Sequence, residues 1–459
     1  MIFRPNALHI ERLATLLLFG FIIWFAFNAG YWRHDDPAYT KDEWKEFEQA
    51  GRFLLAYLHP WARTLTGGIA FSLSCILVYA LAVKQLSNDH ARAGHYLIPL
   101  LLILNIPFFE ITTWSGQSLM ALSMLVLPEL IFRNYRIKVF AACILVWNVH
   151  PSYVPLCLIY FVSHPHYSSV LRASVLDALC FMGGVITAFI TVRLSHGLWF
   201  GFDASLSTRV ALDFSNVFNT YKSALLERSP HLMGGRELYS LLFISLALAL
   251  ALSIYRKRKD ALYFGLVAVS LILFWPLLFA ISPWPHWSTS RHFVFLGVVF
   301  FFCALSIQRL FDKTWLYIFI IAGSLPAQMA LTNFYAFSTQ TNIIKGAFRE
   351  LVGNYEGLIP IIIDARDGDV RRWVRLPYGR QERFSADHAQ VPRFDKAMRM
   401  NWCVSERWQA FEQSKEHMAQ NCHFFNGLSG SDIVQCSVKL PVVCSYGVVN
   451  NRLLLKVVF

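Results

Sequence analysis

The sequence predicts an α-helical polytopic membrane protein that carries a small mixed α/β domain at its C-terminus, on the extracytoplasmic side. Three observations carry that expectation. Apolar runs approaching the roughly 20 residues needed to cross a bilayer recur from the N-terminus to residue 333. Lys and Arg gather in short loops between alternate runs, the pattern that fixes orientation in a membrane. Four cysteines, Cys403, Cys422, Cys436 and Cys444, lie in a polar tail beyond the last run.

Taken in order, spans are predicted near residues 13–30, 65–83, 96–112, 118–132, 139–150, 152–163, 173–195, 237–254, 261–282, 292–308 and 315–333, about eleven in all. The first run is long and has no small-x-small cleavage site after Phe25, so it reads as an uncleaved span rather than a signal peptide. The fifth and sixth runs are short. The turn between them, Asn148-Val149-His150-Pro151-Ser152, fits a kink in one span or the tip of a hairpin, because proline both bends and ends helices. Charge selects the hairpin. With it, Arg4, Arg12, Lys84, Arg92, the cluster Arg133/Arg136/Lys138, Arg172, the tetrad Arg256–Lys259, and Arg309/Lys313 all fall on one side, which is then cytoplasmic.

The N-terminus is accordingly expected in the cytoplasm, and residues 31–64, 113–117, 196–236, 283–291 and everything after about 334 outside it. The chain divides into a membrane domain, 1–339, and an extracytoplasmic domain, 340–459. In the tail, the run Leu358–Asp364 predicts a strand, 402–420 a helical stretch, and Gln435–Val443 and Leu453–Phe459 further strands. An even set of cysteines in an oxidising compartment predicts two disulfides among Cys403, Cys422, Cys436 and Cys444, with the connectivity open. The tail lacks CxxC and HxxxH spacings, which argues against zinc. Cys75, Cys143, Cys157, Cys180 and Cys303 lie in apolar runs and read as small hydrophobic side chains.

The net charge of +12 would suggest nucleic acid as a partner in a soluble chain; placed in the loops of a membrane protein it sets topology instead, and no nucleic-acid partner is expected. P-loop, GxSxG and Rossmann patterns are missing, so nucleotide-driven transport and serine hydrolysis lack their usual marks. Asp177 is a carboxylate inside a predicted span, either functional or bonded to a neighbouring helix.

The chemistry-bearing stretch follows the first span. Asp35 and Asp36 stand side by side, trailed by Trp44 and by Gly51-Arg52-Phe53-Leu54. Further on come Asn105-Ile106-Pro107-Phe108-Phe109-Glu110, Ser118-Leu119-Met120-Ala121-Leu122-Ser123, the turn His150-Pro151-Ser152-Tyr153, and Ser290-Arg291 before the tenth span. In their order and topology these segments resemble the bacterial O-antigen glucosyl transferases of the Gtr type II family, over residues 10–350. The sequence departs from that pattern at Ser115-Gly116-Gln117, where the family usually shows an acidic residue.

The resemblance implies a GT-C-like enzyme of the bacterial inner membrane. Such an enzyme takes a sugar, glucose in this family, from a polyprenyl-phosphate donor and attaches it to O-antigen or a similar surface glycan on the periplasmic side. A donor-synthesising transferase and a flippase would supply the lipid-linked sugar. An inverting transfer needs a carboxylate base for the acceptor hydroxyl and a cation for the leaving phosphate. Asp35 and Asp36 are the candidate bases, and the pair is also the candidate position for a divalent cation; no other cofactor is expected. Arg52 and Arg291, with His292, are candidates for the phosphate, because guanidinium pairs with it through a fork of donors. Glu110, Trp114 and Gln117 are candidates for the acceptor. Two rival classes share parts of this pattern. An O-antigen polymerase or ligase would use the arginines of loop 196–236, Arg209, Arg228 and Arg236. A transporter or flippase of lipid-linked glycans would place charges at mid-membrane depth.

Overall fold

The computed structural model describes residues 7–28, 52–62, 67–86, 92–112, 115–163, 169–200, 216–233, 235–280, 293–328 and 331–332, and five short strands between 361 and 458. These residues fall into two units, a helical one and a sheet.

The helical unit opens with α1 (Ala7–Asn28), α2 (Phe53–Ala62) and α3 (Gly67–Gln85). A 3₁₀ turn, Ile98–Leu102, then leads into α4 (Ile106–Thr112). Next come α5 (Ser115–Ile131), α6 (Tyr135–Trp147), a 3₁₀ helix over Pro151–Ser163, and the long α7 (Val170–Phe200). A short α8 (Val217–Ser223) runs through a π turn, Ala224–Arg228, into α9 (Ser229–Leu232). The unit closes with α10 (Arg236–Tyr255), α11 (Lys259–Ala280), α12 (Phe295–Leu310) and α13 (313–328).

The third predicted span is therefore broken. Asn105 is the reason: its Nδ2 donates to the carbonyls of Leu101 (3.2 Å) and Leu102 (2.9 Å), while its Oδ1 accepts from Phe108 N (2.9 Å). One side chain thus satisfies the backbone groups that a change of helix type leaves over. Gly297 makes room for it, since a Cβ there would collide with Asn105 Nδ2 and lie 3.1 Å from the Leu101 carbonyl.

The run 139–163 folds as a hairpin. Lys138, in the first turn of α6, donates to Glu129 Oε2 (2.8 Å), which also accepts from Gln85 Nε2 (2.9 Å). Ser163, the last residue of the 3₁₀ helix, donates to Gln85 Oε1. The beginning and end of the run therefore meet at one place. A further close approach builds the α6–α7 pair, where a Cβ on Gly184 would sit 2.9 Å from Cys143 Cβ and 3.2 Å from Phe140 Cα. Small residues at such crossings let helix backbones approach where lipid supplies no hydrophobic drive between helices.

α12 lies at the centre, buried from Phe295 to Ile307 without a break. By contrast α1, α7 and α10 turn Leu16, Phe21, Leu179, Ile190, Ile244 and Leu248 outward. Apolar side chains facing out over long helices are what a lipid surround requires. Among the described residues, five helices are long and apolar enough to cross a bilayer, within α1, α3, α7, α10 and α11.

One end of the unit is strongly polar. Besides the Glu129 network, with Lys84 at 3.0 Å, Asp177 accepts from Tyr135 (2.9 Å), Arg136 Nε (2.8 Å) and Tyr263 (2.6 Å). The carboxylate read from sequence as functional or interhelical thus ties α6, α7 and α11 together. Arg256 Nη1 donates to the Leu310 carbonyl (2.7 Å), and Arg309 stands 3.7 Å from Asp260. Glu11, buried in α1, accepts from Gly94 N (2.7 Å) and Tyr317 OH (2.7 Å), and Arg12 donates to Tyr96 OH (2.8 Å). Of the basic residues expected on one side, Arg12, Lys84, Arg136, Lys138, Arg256 and Arg309 are thus engaged in the polar networks of one end of the bundle.

The sheet is five-stranded, in the order β2-β1-β5-β4-β3. Its strands are β1 (Ile361–Asp364), β2 (Met400–Cys403), β3 (Val434–Gln435), β4 (Val443–Val449) and β5 (Arg452–Val458). β1 runs parallel to β2 and β5, while β4 runs antiparallel to β5 and β3. Residues 402 and 403, where the sequence predicted the start of a helical stretch, are strand. The rest of that stretch lies outside the described residues.

Candidate functional site

Arg52 immediately precedes α2, and its carbonyl accepts the first helical bond from Ala56 N (3.0 Å). The run Phe53-Leu54-Leu55-Ala56 favours helix, and it buries Phe53, Leu55 and Ala56 while Tyr57 faces out. Gln117 lies in the first turn of α5. Arg52 Nη1 donates to Gln117 Oε1 at 3.1 Å, joining the N-terminal ends of the two helices. Neither first turn contains an acidic residue, so the positive ends of both helix dipoles are left uncompensated by the chain's own first-turn carboxylates.

Gln117 is 4% exposed, and its Nε2 has no hydrogen-bond partner among the described residues. The orientation of its amide follows from chemistry. Guanidinium has donors only, so the amide oxygen faces Arg52 and the NH₂ group is left over.

The floor beneath this pair is hydrogen-bonded. Tyr153 OH donates to Ser118 Oγ (2.7 Å), and Ser118 Oγ donates to the Ile111 carbonyl (2.9 Å). Tyr153 is fully buried, edge-on to Phe108 and to His150. These bonds fix the first turn of α5 against the end of α4 and the start of the 3₁₀ helix. The arrangement lies at the end of the bundle away from the basic network. Gln117 and Glu129 are twelve residues apart on α5, about 18 Å along a helix axis.

Of the residues proposed from sequence, the structure therefore brings Arg52 and Gln117 together. Glu110 falls within α4, where only its backbone is described. Asp35, Asp36, Trp114, Arg291 and His292 lie outside the described residues, so the acid pair, its candidate cation position and the second arginine stay as sequence expectations. Arg209 also lies outside, and Arg236 begins α10. Cys403 and Cys444 fall in β2 and β4, and Cys422 and Cys436 lie outside. The five apolar-run cysteines are unbridged, four of them buried.

Sequence reasoning did not foresee the roles of Ser118 and Tyr153, although both belong to segments singled out by the resemblance. α2 was also missed. Its signal, ten apolar-rich residues after Arg52, was present but too short to read as a span.

The helices define the class: long and apolar enough to cross a bilayer, turned outward by their aliphatic faces, and compatible with a multi-pass helical membrane protein. Comparison of the chain with family models, curated proteins and solved structures gives no match.

Proposed function

We propose that the protein is a glycosyltransferase of the bacterial inner membrane, with a GT-C-like arrangement of about eleven spans. It moves a sugar, glucose by resemblance, from a polyprenyl-phosphate donor to O-antigen or a similar glycan on the periplasmic side. The observation that carries this reading is the Arg52–Gln117 pair. A guanidinium and a buried amide donor stand together where two helix N-termini meet, at the end of the bundle away from the basic network. A guanidinium and an amide N–H are both donors that suit a phosphate group.

Three segments that carry the family resemblance also converge there. Arg52 reaches Gln117, next to the 118–123 segment, and that segment is reached in turn by Tyr153 from the 150–153 turn. The positive-inside rule assigns the basic end to the cytoplasm, which leaves Arg52 on the periplasmic side, where the lipid-linked sugar would be consumed.

In the proposed reaction an acceptor hydroxyl oxygen attacks the anomeric carbon as the bond from that carbon to the phosphate oxygen breaks. Asp35 or Asp36 takes the hydroxyl proton, and the polyprenyl phosphate leaves as an anion held by Arg52, with Arg291 and His292 assisting. Glu110 and Trp114 orient the acceptor. The tail, with two disulfides, belongs to the periplasm on this reading. Mass spectrometry of surface polysaccharide from cells with and without the gene tests the proposal. A hexose per repeat unit that disappears with the gene is the expected result. Identical glycans would overturn it.

A further inference from the structure

We infer that Gln117 binds the phosphate group rather than the acceptor sugar, and that Arg52 and Gln117 form one anion-binding cleft at the N-terminal ends of α2 and α5. The lipid source of that phosphate rests on the glycosyltransferase reading; the anion site itself rests on the buried Gln117 Nε2 beside Arg52.

Arg52 Nη1 donates to Gln117 Oε1. That bond fixes the amide so that Nε2 lies beside the guanidinium, about 2.3 Å from the oxygen it flanks, as the covalent geometry of an amide requires. Nε2 is buried and has no partner among the described residues. A buried donor left unsatisfied is costly, and chains retain few of them without a reason. An acceptor oxygen entering here would satisfy it.

Charge then selects the kind of acceptor. α2 has ten residues and α5 seventeen, and neither has an acid in its first turn. Both helix ends therefore add positive potential to the guanidinium. A sugar hydroxyl would gain little from that field, whereas a phosphate monoester or diester would gain from each of its parts. The bond from Tyr153 to Ser118 and from Ser118 to Ile111 holds the first turn of α5 in register, so Nε2 is preorganised rather than swung into place.

The test uses the full chain in lipid nanodiscs and two probes, a polyprenyl monophosphate and inorganic phosphate, with binding read by 31P NMR titration. Gln117→Glu keeps the shape and pairs with Arg52, but replaces the donor with a negative oxygen. Polyprenyl monophosphate should bind the wild type and bind the variant about 10- to 100-fold more weakly. Gln117→His, which retains a ring N–H, should fall between them. Competition by inorganic phosphate would identify the phosphate group as the feature recognised. Lipid phosphate that binds without such competition, yet still depends on Gln117, would identify the ester.

Equal affinity in wild type and Gln117→Glu, with both proteins folded by circular dichroism, would overturn the inference. So would a wild type that binds neither probe. The outcome is separate from the glycan assay: a Gln117-dependent anion site in a protein that modifies no glycan would sink the transferase reading and leave this one standing.

Discussion

Arg52 and Asp177 are both charged groups held among helices, and their different surroundings imply different consequences of mutation. Asp177 accepts three hydrogen bonds from three donors on two other helices. Its charge is balanced and its lone pairs are used, which describes a structural tie. Asp177→Asn should lower stability by about 1.5–3 kcal/mol, the usual worth of hydrogen bonds to a charged group. Thermal unfolding of purified protein would register the loss, while the glycan made at a permissive temperature should be unchanged.

Arg52 is the proposed phosphate ligand, so its loss should be read in transfer. Arg52→Gln should lower sugar transfer about 10²-fold or more at wild-type protein level, the typical cost of losing one donor to developing charge. Arg52→Lys should be milder, since it retains the charge and loses the fork. Equal transfer by all three proteins would remove Arg52 from the site.

At the scale of elements, the α6–α7 crossing depends on Gly184. A side chain there would press on Cys143 and on the backbone of Phe140. Gly184→Val should therefore cost about 1–3 kcal/mol through overpacking. Gly183→Ala, one position along with 3.8 Å to its nearest neighbour, should be close to neutral. Comparing the two by thermal unfolding separates crowding from any general effect of removing glycine.

The sheet restricts the disulfides. Cys403 in β2 and Cys444 in β4 are separated by β1 and β5, three strand spacings in all, or about 14 Å. A disulfide requires Cα atoms within about 7 Å. Of the three pairings four cysteines allow, the one joining Cys403 to Cys444 is thus disfavoured. Non-reducing peptide mapping should find Cys403 bonded to Cys422 or Cys436. A Cys403–Cys444 peptide would contradict the strand order.

Much of this helical unit is legible from apolar periodicity alone. Over the described residues, ten of the eleven predicted segments fall on single helices, because length and hydropathy are local properties. The third, 96–112, is broken by Asn105, whose effect depends on carbonyls three and four residues back and on space left by Gly297. No window of hydropathy contains that. The site was half legible. Arg52 and Gln117 were both singled out, but they are 65 residues apart, and their union arises from packing of α2 against α5. Sequence therefore assigned them to different substrates.

For the molecule as a whole, the basic network and the Arg52 site lie at opposite ends of the bundle, and the positive-inside rule turns that into an orientation. Alkaline phosphatase fused after Lys259 should be inactive, and fused after residue 340 active. An active fusion at Lys259 would invert the protein and put Arg52 on the cytoplasmic side, away from the proposed acceptor.

The central claim is that this end of the bundle transfers a sugar using a carboxylate base. The most direct measurement is the hexose content of surface polysaccharide, by mass spectrometry, from cells carrying Asp35→Asn, Asp36→Asn or the double variant at wild-type protein level. The amide preserves size and hydrogen-bonding reach but cannot take the acceptor proton, and loss of a general base typically lowers rate about 10²–10⁴-fold. The account predicts that hexose is lost in at least one single variant and in the double. Wild-type hexose in all three would contradict it.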